Sequence, residues 1–154
     1  MIRIIILLLV AGLWSCSSIK NTTQTFKYNT QLAKKLGADD YGMRMYQLVI
    51  LKTGTVTIKN KDTVNVLFRG HMDNIGRLAD AGTLVIAGPF GKNAEHYRGL
   101  FIFKTKDEAE TKALLQTDPA IKAGLLDAAI YPWYGSAALE MYLPYHKQIE
   151  KNKP

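Results

Sequence analysis

Cysteine is nearly absent from this sequence. Cys16 is the single one among 154 residues, so no internal disulfide can form. Only three histidines are present, and none stands at metal-ligand spacing from another Cys or His. A zinc finger, an iron–sulfur ferredoxin and a disulfide scaffold are therefore excluded. Long hydrophobic runs are missing too. The apolar stretch Ile4 to Leu13 has ten residues, too few to cross about 30 Å of hydrocarbon as a helix. Basic residues outnumber acidic ones, with a formal net charge of +7, but they are spread thinly. The densest places are Lys34-Lys35 and Lys147, Lys151 and Lys153. This pattern predicts a soluble basic surface and no nucleic-acid partner. What is present, 47% hydrophobic and 21% charged residues, is the composition of a single globular domain.

Met1-Ile2-Arg3 places one positive charge ahead of the short apolar stretch, the order found in signal peptides. Leu13-Trp14-Ser15-Cys16 then has the form of a bacterial lipobox: an aliphatic residue, a small one, and the cysteine that becomes lipidated. The expectation is a signal peptide over 1–15, lipidation at Cys16 and a polar tether over 16–28. Acyl chains would make a membrane one partner. The location would be that of a membrane-anchored lipoprotein of the bacterial outer membrane or periplasm. Ordinary signal-peptidase cleavage and an uncleaved anchor are the other outcomes.

The domain is expected over 29–136. Asn29 to Leu36 reads as a short helix stopped by Gly37, and Met43 to Lys52 as the first strand. Asp62 is the expected cap of a helix from Thr63 to Ala81, with Gly82 as its stop. The stripe Val64, Leu67, Phe68, Ile75, Leu78 and Ala79 gives that helix its 3.6-residue period. Thr83 to Ala87 reads as a strand broken at Gly88-Pro89, and His96 to Lys104 as its hairpin partner. Thr105 and Glu108 have capping-box spacing ahead of a helix to about Gln116. Asp118-Pro119 opens one further turn, and Leu126 to Tyr134 is the last strand. Residues 137–154 read as a tail.

The order β-α-β-β-α-β predicts an α+β, ferredoxin-like fold: an antiparallel sheet with helices on one face. Both faces of the strands are apolar, since Leu100 and Ile102 oppose Phe101 and Phe103. A bare apolar sheet face predicts a second copy packed against it, a two-fold homodimer.

His71 falls near the middle of the apolar helix stripe, facing the sheet. A titratable ring there either bonds a backbone carbonyl, acts as a general acid or base, or ligates a metal, although no second ligand is visible. Asp118 before Pro119 suits a helix cap, with proline at the first helical position. Tyr46, Arg98, Tyr131 and Trp133 are candidates for the walls of a small-molecule pocket.

Tyr46-Gln47-Leu48-Val49-Ile50-Leu51, Gly70-His71-Met72-Asp73-Asn74-Ile75 and Ala81 through Phe90 together resemble a known family. So do Arg98 through Phe103, Glu108-Ala109, Thr117-Asp118-Pro119-Ala120 and Ile130-Tyr131-Pro132-Trp133. The run Tyr41 to Tyr134 resembles a YCII-related domain. The resemblance implies a dimeric α/β barrel, similar in fold to muconolactone isomerase, with His71 and Asp118 as the shared polar pair; this gives Asp118 a second reading beside the cap, a carboxylate that orients His71. It implies a cofactor-independent enzyme, a lyase or isomerase of unassigned substrate, acting on a small, aromatic or enol-type molecule. The other class left open is a non-catalytic, membrane-tethered ligand-binding or scaffold module. Neither needs a metal or a cofactor.

Overall fold

The computed structural model describes residues 26–152. The expected signal peptide, Cys16 and most of the expected tether lie outside those residues. Helix α1 spans Thr30–Leu36; the Asn29 side chain accepts from the Leu32 N–H, and Gly37 closes the helix at φ 65°. Strand β1 is Met43–Thr53, helix α2 is Lys61–Asp80, and strands β2 and β3 are Leu84–Pro89 and Tyr97–Phe103. Helices α3 and α4, Glu108–Leu115 and Pro119–Lys122, lead into strand β4, Leu126–Ser136.

The sheet order is β2-β3-β1-β4, and every neighbouring pair is antiparallel. Helices α2, α3 and α4 pack on one face. Val49, Leu51, Leu84, Phe101 and Phe103 point to that face and meet Leu78, Leu115 and Ala120. Burying each large side chain there contributes roughly 1.5–3 kcal/mol. This is the ferredoxin-like α+β arrangement that the element order implied.

Several element ends differ from the sequence expectation. Helix α2 begins two residues earlier: Asn60 Oδ1, not Asp62, accepts from the Thr63 N–H at 3.0 Å. Asp62 sits in the first turn, where its charge still favours the helix dipole. The cap of α3 is Asp107, whose Oδ1 accepts from the Glu110 N–H. Thr105 is instead buried against the Thr111 hydroxyl. Strand β2 continues through Gly88 and Pro89. Because β2 is an edge strand, the missing proline N–H costs no ladder bond on its outer side.

The residues read as a tail are structured. Ala137–Tyr142 form a 3₁₀ helix and Leu143–Ile149 form helix α5, with Pro144 in its first turn. Proline is compatible with that position because the first-turn N–H groups have no intrahelical partner. Leu139 packs against Tyr46, Val85 and Ile102 on the second face of the sheet.

Candidate functional site

The site is built where α2 crosses the start of α4. Gly70 lies inside α2, where glycine is a poor helix former. A Cβ there would meet Pro119 Cγ at 2.8 Å. The bare backbone admits the proline ring, and this close approach sets Asp118 beside His71.

His71 Nδ1 and Asp118 Oδ2 are 2.6 Å apart, and both side chains are buried. The other carboxylate oxygen, Oδ1, accepts from the backbone N–H groups of Ala120 at 3.0 Å and Ile121 at 3.3 Å. The two structural alternatives for Asp118 are thus satisfied together, one by each oxygen. With the carboxylate accepting, Nδ1–H donates, and in the neutral form of the ring Nε2 holds the lone pair. Nε2 has no hydrogen-bond partner among the described residues. The imidazole is stacked on Phe101 and meets the edge of Phe68, with centroids 6.0 and 6.1 Å away.

A second polar tie lies one turn along α2. The buried Asn74 Oδ1 accepts from Arg77 Nη2 at 2.7 Å and from Thr117 Oγ1 at 3.1 Å. Arg77 Nη2 also donates to Thr117 Oγ1 at 2.9 Å. Thr117 precedes Asp118, so this network fixes the loop that presents the carboxylate. Sequence reasoning missed Asn74, Arg77 and Thr117. The signal was there: Asn74 is a second polar residue on the buried stripe, three positions after His71.

His71 lines a cavity of about 800 Å³ between α2 and the β2 edge of the sheet. Its walls are mostly apolar: Leu51, Phe68, Ile75, Ala87, Phe101 and Leu126 all contribute. The polar side chains on it are His71, Arg98, Tyr142 and His146. Burial pushes the Tyr142 phenol above its ordinary value, so it stays a protonated donor through the neutral range. Among the described residues no cluster of three His, Cys, Asp or Glu side chains could hold a metal ion.

Of the four expected wall residues, only Arg98 lines this cavity. Tyr46 is fully buried on the second face of the sheet, and its hydroxyl donates to the Ser136 carbonyl at 2.9 Å. Trp133 pairs with Tyr46 across β1 and β4, their rings 5.9 Å apart. Tyr131 pairs with Leu48 and is half-exposed. These three rings alternate away from Val49 and Leu51, so they cannot reach the cavity beneath α2. Tyr142 and His146 take their place as aromatic and polar lining, from a segment read as a tail.

Two comparisons with known proteins give matches. Among solved structures, the chain is similar to the 5-chloro-2-hydroxyhydroquinone dehydrochlorinase of Burkholderia phenoliruptrix, solved in complex with 2,5-dihydroxybenzoquinone. Identity is 19%, the match covers 56% of this chain and 92% of that one, and the TM-score is 0.39. No curated protein matches. The family model of the YCII-related domain matches residues 18–134, a span that holds both His71 and Asp118. The chain therefore belongs to the YCII-related domain family.

Proposed function

We propose that the chain is a small-molecule enzyme that uses His71 and Asp118 for acid–base chemistry without a cofactor. One observation carries the reading: a buried imidazole–carboxylate pair at 2.6 Å stands in the wall of a mostly apolar cavity. Nε2 takes a proton from a carbon or hydroxyl next to a carbonyl, and the electron pair moves into an enolate or phenolate. Asp118 stabilises the imidazolium that results. Return of the proton to another carbon completes an isomerisation. Expulsion of a leaving group that carries the electron pair completes an elimination.

The test is turnover of hydroxylated aromatics and enolisable cyclic ketones, followed by NMR in deuterated water. His71→Ala should lower proton exchange or product formation by about 10²–10⁴-fold while the circular dichroism spectrum keeps its shape. A folded, fully active His71→Ala would overturn the reading and leave a ligand-binding module.

We also propose the setting. The second sheet face carries partly buried Leu48, Ile50 and Leu100 beside half-exposed Tyr131, which supports a two-fold homodimer packed through that face. Light scattering of the full chain decides between one copy and two. The lipobox form of Leu13 to Cys16 supports a lipid anchor on Cys16 in the outer membrane or periplasm. Mass spectrometry of the protein from its own membrane fraction would show the acyl mass or its absence.

A further inference from the structure

Three consecutive residues at the start of α4 meet α2 in reverse order. Thr117 meets Asn74 and Arg77, Asp118 bonds His71, and Pro119 lies against Gly70. A single contact between two helices fixes a distance and leaves rotation about it free. Ties on both sides of the His71–Asp118 bond remove that rotation.

The tie at Thr117 comes with a cost in core packing. Asn74 is 8% exposed, on the side of α2 that also buries His71 and Leu78. Asparagine is a poor helix-interior residue, and a leucine there would bury apolar surface with no polar atom to satisfy. Arginine only donates, so the Asn74 atom that faces Arg77 Nη2 at 2.7 Å is the amide oxygen. Thr117 Oγ1 accepts from the same Nη2 at 2.9 Å. Its one proton is shared between Leu114 O at 2.7 Å and Asn74 Oδ1 at 3.1 Å. The group thus bridges α2 and the turn that ends at Asp118. Arg77 and Thr117 form its exposed end, so exchanging either leaves most of the stability in place. None of the three side chains lines the cavity.

We infer that Asn74, Arg77 and Thr117 are positioning residues of the acid–base site: they hold the Asp118 carboxylate in line with His71 Nδ1, and they act on the reaction through that pair alone. The effect on rate rests on the acid–base reading of His71 and Asp118. The effect on the geometry of the pair does not.

The experiment has two readouts on the full chain. The first needs no substrate: the ring nitrogen shifts of His71 in NMR, which report the bond to Asp118. Thr117→Val should move them, and Thr117→Ser, which keeps the hydroxyl, should leave them in place. The second is turnover of hydroxylated aromatics and enolisable cyclic ketones. Thr117→Val and Arg77→Gln should each lower kcat about tenfold, with KM within about twofold and Tm little changed; a misplacement of about 1 Å can cost about 10²-fold. In an Asp118→Asn background the same changes should alter the rate less than about twofold, because the group they align no longer acts. Unmoved His71 shifts in Thr117→Val, the same loss in Thr117→Ser, a risen KM at constant kcat, or effects that multiply with Asp118→Asn would overturn the inference. If the shifts move while His71→Ala keeps full turnover, the acid–base reading fails and the positioning of the pair stands. If His71→Ala loses turnover while Thr117→Val and Arg77→Gln change neither shifts nor rate, the positioning fails and the acid–base reading stands.

Discussion

Gly70 and Pro119 meet where α2 crosses α4, and the space between them is too small for a methyl group: a Cβ on Gly70 would stand 2.8 Å from Pro119 Cγ. Elsewhere in a helix interior, alanine would be better than glycine by roughly 0.5–1 kcal/mol. Here the sign reverses. Gly70→Ala should destabilise the protein by about 1–3 kcal/mol, the usual cost of forcing a group into a packed contact. It should also pull Asp118 away from His71. Urea unfolding measures the first effect, and the ring-proton shifts of His71 in NMR report the second.

The two oxygens of Asp118 allow stability and chemistry to be separated. Asp118→Asn keeps a good capping side chain and should hold stability within about 1 kcal/mol. It removes the charge that stabilises an imidazolium, so turnover should fall by about 10²-fold or more. Asp118→Ala loses the cap and leaves the buried Nδ1–H unpaired, and should cost at least about 2 kcal/mol in total. Thermal unfolding and initial rates on both variants check the split. Equal stability for Asn and Ala at this position would contradict it.

Asp39 predicts a pH dependence away from the site. The Tyr134 hydroxyl donates to its carboxylate, as do the N–H groups of Met43 and Tyr41. These bonds, that from Tyr134 foremost, hold Asp39 below the ordinary carboxylate range. A depressed carboxylate contributes stability above its unfolded value, and that contribution is lost as pH falls through the folded value. Tyr134→Phe should therefore lower Tm at neutral pH. The gap to the unaltered protein should close as the pH drops below about 4, where free carboxylates protonate. A Tm gap that stays constant from neutral to strongly acid pH would show that the hydroxyl acts by packing alone.

The order of elements was legible because each long element has one clear period. The stripe from Val64 to Ala79 repeats every 3.6 residues, and Phe101 and Phe103 alternate with Leu100 and Ile102. The ends were less legible because neighbouring residues compete for the same task. Asn60 and Asp62 are both good caps, as are Thr105 and Asp107, and local composition does not rank them. Pro89 and Pro144 mislead for a related reason. Proline breaks a central strand or a helix interior, but it is tolerated on an edge strand and in a first turn.

The meeting of His71 and Asp118, 47 positions apart, was legible only through the family resemblance, because neither period nor spacing joins α2 to α4. The aromatic wall was misjudged on parity. Tyr46 and Val49 are three apart in one strand and so face opposite sides of the sheet. The place of Tyr142 and His146 depends on how the chain turns after β4. No short-range signal encodes that path, although their i, i+4 spacing could have marked a helix face.

The double duty of Asp118 bears on how sequences of this kind are compared. An aspartate that starts a helix ahead of proline is retained on folding grounds even in a chain that has lost all chemistry. Its persistence among relatives would thus say little about activity. The histidine opposite has no such alibi, because an apolar side chain at position 71 would suit the stripe of α2 at least as well. Position 71 is therefore the diagnostic one for the proposed acid–base role: a relative that keeps the aspartate but replaces the histidine keeps the helix start without the proposed base.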